Sequence, residues 1–253
     1  MDKHILLMAA SLALGATGAA QAQATVKTDG QFRSAFGLGA SMSSGNTRAS
    51  NLSITGDAVR ATDQDKLGLY LNAQYAKSNG TTTGEQLRTG GRYDYNLGTD
   101  LFAFGGLDLA RDKFANLSLR GMVSTGLGYH ALKTTTTTLD LFGGLGYTRD
   151  SYINPTVIDS SLRSRYGYVS ALLGEESTHK LSETTSFKQR LVVLPNLSNR
   201  GEFRANWDAG LAVAMTKTMN LTVGAGLAYN SEPGAGRKRA DTLLTTGVSI
   251  RFD

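Results

Sequence analysis

Proton transfer near neutral pH needs an imidazole or a strongly perturbed acid, and the chain offers three histidines, His4, His130 and His179, and no cysteine. The missing cysteines exclude disulfides, thiolate metal sites and thiol nucleophiles together. His130 has no serine at a spacing that nominates a nucleophile. His179 follows Glu175 and Glu176 in what reads as a solvated turn. No Gly-x-Ser-x-Gly, Gly-x-Gly-x-x-Gly or phosphate-loop pattern is present, so no catalytic residue, metal ligand or cofactor is nominated. The chemistry these residue types do support is electrostatic. Arg88, Arg92, Asp94, Arg120, Arg163, Arg165, Lys188, Arg190, Glu202, Arg204, Asp208 and Arg251 recur at alternate positions within polar-apolar runs. Gathered on one face, they would make either a ring of arginines that lowers the barrier to anions or an interior closed by ion pairs.

The elements that must position them are strands. In 244–252, Leu244, Thr246, Val248, Ile250 and Phe252 alternate with Thr245, Gly247, Ser249 and Arg251 up to a near-terminal aromatic. That is how a strand reads when one face meets lipid and the other a wet or packed lumen. Period-2 alternation cut at turn residues gives twelve segments: 31–42, 48–60, 67–77, 85–97, 101–111, 117–132, 139–149, 162–178, 185–194, 202–215, 219–230 and 240–252. An even number suits a bacterial single-chain barrel, and most segments reach the roughly 9–11 residues that a tilted strand needs to cross a bilayer. The expected fold is therefore all-β, a single transmembrane antiparallel up-and-down barrel. Segment 101–111 puts Phe102 and Phe104 on the parity opposite Leu101, Leu107 and Leu109, which predicts a bulge or register error there; segment 162–178 has a similarly uncertain register.

Residues 1–22 read as an export signal, with Lys3 in a short positive start, an apolar run from Ile5 to Leu14 and Ala20-Gln21-Ala22 as the cleavage site; a cut after Ala24 fits nearly as well. Residues 23–30 then form a short periplasmic tail, and 31–253 the barrel. An N-terminus in the periplasm makes 150–161 and 231–239 extracellular loops and leaves short periplasmic turns such as 98–100 and 216–218. Pro155, Pro195 and Pro233 fall in or beside the outer loops. Tyr75, Tyr147, Trp207 and Tyr229 would ring the outer rim, and Tyr95, Tyr129 and Phe252 the inner one. The net charge of +5 comes without a basic stripe, which argues against nucleic acid.

An ordered set of motifs carries a family resemblance. Ser44-Gly45-Asn46-Thr47, Arg92-Tyr93-Asp94-Tyr95-Asn96-Leu97 leading into Leu101-Phe102-Ala103-Phe104, then Arg111-Asp112-Lys113-Phe114 and Gly126-Leu127-Gly128-Tyr129, resemble the salt-induced outer-membrane proteins, the YdiY-like barrels, over essentially the whole mature chain. The resemblance implies an outer-membrane barrel associated with salt or osmotic stress, and it does not imply a catalytic site, the family's molecular function being unknown.

The expected role is that of an envelope barrel acting structurally or through its surface, with a narrow passive pore for ions or small solutes, including anions, as the competing class and no enzyme activity. The expected partners are outer-membrane lipid and glycolipid, with Arg237, Lys238 and Arg239 as candidate glycolipid contacts, and the barrel-assembly machinery. A monomer is expected.

Overall fold

The computed structural model describes residues 24–43, 49–158, 161–232 and 239–252. The strands among them are β1 (Phe32–Ser43), β2 (Ala49–Ala61), β3 (Asp65–Ser78), β4 (Thr81–Asn96), β5 (Leu101–Asp112), β6 (Leu117–Lys133), β7 (Thr137–Ile158), β8 (Ser161–Lys180), β9 (Thr185–Pro195), β10 (Phe203–Ala214), β11 (Met219–Asn230) and β12 (Ala240–Phe252). Each pairs antiparallel with the next. β12 returns to β1, with Ser34 opposite Phe252 and Leu38 opposite Val248, so the sheet closes with no free edge. The signal segment 1–22 and the Ser44–Thr47 turn lie outside the described residues.

Burial is inverted relative to a soluble domain. Leu38, Val123, Leu127, Leu145 and Leu173 are each more than half exposed, while Asp150, Ser170 and Ser249 are fully buried. A continuous apolar outer belt of this kind needs lipid rather than water against it. The turns at the end that holds the first and last strand termini are short, no longer than four residues between strands. The opposite end carries the longer β9–β10 and β11–β12 connections. Tyr93, Tyr95, Tyr129 and Phe252 face outward near the first end, and Tyr75 and Tyr147 nearer the second.

Three features depart from the expected pattern. Residues 150–158 continue β7 instead of forming a loop; the ladder with β8 is interrupted only between Ser151 and Thr156. Pro155 falls within that interruption, where a residue without an amide donor is tolerated, so the strand bulges there and resumes. The β3–β4 connection is two residues, Asn79 and Gly80, with φ of 48° and 81°. That pair of positive φ angles is the requirement of a type I′ turn, and Asn-Gly meets it with the least strain.

The third concerns β5. Its ladders run unbroken from Leu101 to Ala110, and the irregularity comes only beyond, between Ala110 and Asp112. Phe102 and Phe104 point inward by design of the fold, 1% and 5% exposed, and pack with Met122, Phe142, Leu172 and Leu194 into an apolar core inside the barrel. Glycines make room for them. Phe102 stands opposite Gly128, Phe104 opposite Gly126, and Phe142 opposite both Gly128 and Gly174. A Cβ on Gly128 would lie 2.0 Å from the Phe102 ring, and one on Gly174 would lie 2.4 Å from the Phe142 ring.

Gly128→Ala should therefore destabilise the barrel by about 1–3 kcal/mol through overpacking. The outward Gly105, whose added Cβ meets nothing within 4 Å, should accept alanine with little change. Urea titrations of the barrel folded into lipid vesicles compare the two, and equal midpoints would contradict this packing.

Candidate functional site

The charged residues converge inside the barrel in two networks. The first is centred on Asp150, which is fully buried on β7. Arg120 on the neighbouring β6 grips it with two bonds, Nε to Oδ1 at 2.6 Å and Nη2 to Oδ2 at 2.9 Å. Arg204 arrives from β10, across two intervening strands, and donates to Oδ2 at 3.0 Å and also to the Tyr168 hydroxyl. Tyr168 stacks on Tyr166 at 5.1 Å between centroids. The Tyr166 hydroxyl accepts from Asn196 Nδ2 at 3.2 Å, and the same amide donates to Glu202 Oε2 at 2.7 Å. One buried carboxylate thus serves two guanidiniums, and the chain of contacts continues to the β9–β10 connection.

The second network runs along the lumenal wall, its ion pairs joining positions on one strand or on neighbouring strands. Glu176 on β8 faces Lys188 at 3.6 Å and Arg190 at 3.9 Å. Asp94 holds Arg92 at 2.6 Å and Lys66 at 3.5 Å, and Asp108 holds Arg88 at 3.7 Å and the Tyr70 hydroxyl. The Arg92 guanidinium also lies 4.3 Å from the ring centroids of Phe104 and of Phe142, which ties this network to the apolar core by cation–π contact. A polar cavity of about 140 Å³ remains, lined by Asp57, Tyr70, Arg88, Glu176, Lys188 and Asp208 among others. Those residues come from β2–β4 and from β8–β10, opposite sectors of the ring, so the cavity is a gap between side chains that meet across the barrel.

The segment before β1 turns back to the wall. Arg33 binds the Asp29 carboxylate through both terminal nitrogens, at 2.7 and 2.5 Å, and holds that carboxyl well below the usual carboxylate range. The Ala24 amide comes within 3.4 Å of the Asp57 carboxylate inside the lumen. The expected periplasmic tail thus reaches into the mouth of the barrel.

Of the residues named from sequence, Arg88, Arg92, Asp94, Arg120, Lys188, Arg190, Arg204 and Asp208 stand in these networks. Glu202 joins the first from the β9–β10 connection. Arg251 sits at the short-turn end, bonded to the Lys217 carbonyl at 2.9 Å. Arg165 does not join them: it stands opposite Ser151, on the parity opposite buried Tyr166, Tyr168 and Ser170, and is exposed on the outer face. Arg163 is exposed near the hairpin tip, its guanidinium 5.8 Å from the Tyr166 ring. Arg239 is exposed before β12, and Arg237 and Lys238 lie outside the described residues. His130 is held between Asp140 at 2.6 Å and Asn96 at 3.3 Å, while His179 belongs to β8 rather than to a turn.

The carboxylates Asp57, Asp108, Asp150 and Glu176 and the base Lys66 were missing from the sequence reading, and they change the electrostatics. Arg88, Arg92, Arg120, Lys188, Arg190 and Arg204 each have an acid within 3.9 Å. The expected excess of base over acid in the lumen is therefore offset. The signal was available: Asp150 and Glu176 share the even parity of Phe142, Thr148, Tyr166 and Leu172 on their own strands.

The family model for proteins of unknown function, DUF481, matches residues 36–252. The chain belongs to the DUF481 family. No curated protein matches its sequence. Among solved structures, this DUF481 chain is similar to an outer-membrane channel from Pseudomonas putida, with 14% identity, 90% of this chain and 97% of that one covered, and a TM-score of 0.51. It is also similar to the translocator domain of the autotransporter NalP from Neisseria meningitidis, with 13% identity, 99% and 94% covered, and a TM-score of 0.47. For the KdgM porin the values are 11% identity, 88% and 100% covered, and 0.44. The likeness to the channel is one of fold, and with the apolar belt it identifies this DUF481 chain as an outer-membrane β-barrel.

Asp150→Ala should cost about 2–3 kcal/mol, because it leaves two partly buried guanidiniums facing each other without their counter-charge. Adding Arg204→Met should recover part of that loss. Additive urea-midpoint shifts for the two substitutions would rule out the coupling.

Proposed function

We propose that this DUF481 protein is an outer-membrane barrel with a closed lumen, acting in the envelope structurally or through its surface. The observation that carries this reading is the filling of the interior. The Phe102–Phe104–Phe142 core stands inside the barrel beside the ion pairs of Asp94 and Glu176, and side chains from β2–β4 and β8–β10 meet around a cavity of about 140 Å³. A pore needs a continuous wet path with sites that ions can both enter and leave. Charges already neutralised by fixed partners offer neither strong attraction nor ready displacement. The second reading, a narrow passive pore for ions or small solutes, is favoured by the charged lining of that same cavity. Anion preference finds less support, because the lumenal bases are paired. An association with salt or osmotic stress is supported by the motif resemblance alone, and unchanged growth of a deletion strain across external salt would remove it.

The test is single-channel conductance of the folded mature chain in a planar bilayer under a salt gradient. The wild type should give no stable steps. A variant with Arg92→Ser, Phe104→Gly and Phe142→Gly, shown to be folded by its heat-modifiable migration, should give them. Stable wild-type steps would replace the closed barrel with the narrow pore, and their reversal potential would report its ion preference.

A further inference from the structure

The outer face of β5–β8 changes character abruptly along the ladder. One row, Leu107, Val123, Tyr147 and Val169, is apolar or aromatic and 41–54% exposed. The next row toward the longer loops is Leu109, Gly121, Arg149 and Gly167. The row beyond sets Leu119, Ser151 and Arg165 side by side, with Arg111 two residues past Leu109 on β5. Arg111, Arg149 and Arg165 are all exposed, and none makes an ion pair with a described carboxylate. The nearest outward acid on β4, Glu85, is engaged by Lys113 at 3.3 Å. Asp112 accepts from Gln86 and from the Ala115 amide, both at 2.8 Å.

We propose that Arg111, Arg149 and Arg165 bind the phosphate groups of the outer-leaflet glycolipid. Arg149 and Arg165 are diagonal neighbours on adjacent strands, roughly 7 Å apart at Cβ and within reach of one another's long side chains. Unneutralised guanidiniums this close repel, and a doubly charged phosphate placed between them relieves the repulsion with bidentate bonds. The wall leaves room for such a group, because both ladder neighbours of Arg149 are glycines. The Tyr147 hydroxyl leans over one of them: a Cβ added to Gly167 would lie 2.6 Å from it, so a further donor stands at the same height. Height decides the ligand. The arginines enter the outer face beside Leu109 and Leu119, past the uniformly apolar row and toward the end opposite the short turns, which in outer-membrane barrels faces outward and meets headgroups. This assignment rests on the outer-membrane reading and is independent of whether the lumen conducts.

The experiment titrates the folded mature barrel in detergent with purified lipopolysaccharide, with the same glycolipid after removal of its phosphates, and with phosphatidylglycerol, following complexes by native mass spectrometry. The triple variant Arg111→Ser, Arg149→Ser, Arg165→Ser should bind intact glycolipid at least about tenfold more weakly than the wild type, since each arginine supplies a charge-assisted bond. Triple lysine replacement should restore most of the binding. The dephosphorylated glycolipid should bind the wild type as weakly as the intact one binds the serine variant. Equal affinity of wild type and serine variant, or no effect of removing phosphate, would overturn the site. Equal binding of phosphatidylglycerol would overturn the glycolipid as its ligand. Heat-modifiable migration confirms folding.

Discussion

Everything in this molecule follows from closing the β1–β12 ladder. In hydrocarbon an unpaired amide or carbonyl costs several kcal/mol, so a sheet survives there only without edges. Closure fixes the parity of every residue, since the side chains of one strand can point only to lipid or to the lumen. The outer set must then be apolar at mid-height, as Leu38, Val123 and Leu145 are. The inner set is free of that demand but must fill the volume it encloses. Twelve strands enclose more space than small side chains can occupy, and the protein fills it with large aromatics on one sector and long charged side chains reaching across.

The two fillings depend on one another. Arg92 lies against both Phe104 and Phe142 while it holds Asp94, so the rings shield the pair from lumenal water and strengthen its attraction. The ion pair in turn fixes the guanidinium plane on which the aromatic contacts depend. The same logic makes glycine a packing residue at Gly126, Gly128 and Gly174. Each lies under a phenylalanine ring, and the missing Cβ lets the ring lie close over the opposite strand.

Much of the fold was legible because period-2 alternation is a local signal that lipid enforces. Segment 240–252 matches β12 residue for residue. Boundaries failed where the alternation persists without lipid, as in β7 beyond Arg149, because strand pairing there is stabilised by a neighbouring strand rather than by the membrane. The Asn79-Gly80 turn is legible as an Asn-Gly hairpin signal. The inward Phe102 and Phe104 broke the rule that large apolar residues face out, and the register was doubted when the lumen itself was apolar at that level. Most of the lumenal bases were legible from their parity. Of the acids that neutralise them, Asp150 lay where a loop was expected, while Asp108 and Glu176 lay on the inward parity of expected strands.

Arginine in this chain illustrates how little residue type decides by itself. Arg120 is lumenal and locked to Asp150, which ties β6 to β7, and Arg204 brings β10 to the same carboxylate. Arg165 lies one ladder row above the level of Arg149 on the outer face, with water or headgroups for company. The two positions differ only in parity and in the carboxylate beside one of them. A single-residue slip of β8 would remove that difference, placing Arg165 in the lumen and Tyr166, Tyr168 and Ser170 in lipid. The stacked Tyr166–Tyr168 pair and the Arg204 bond to Tyr168 therefore set the register of β8 against β7, and through it the side of the membrane wall on which each charge of that hairpin acts.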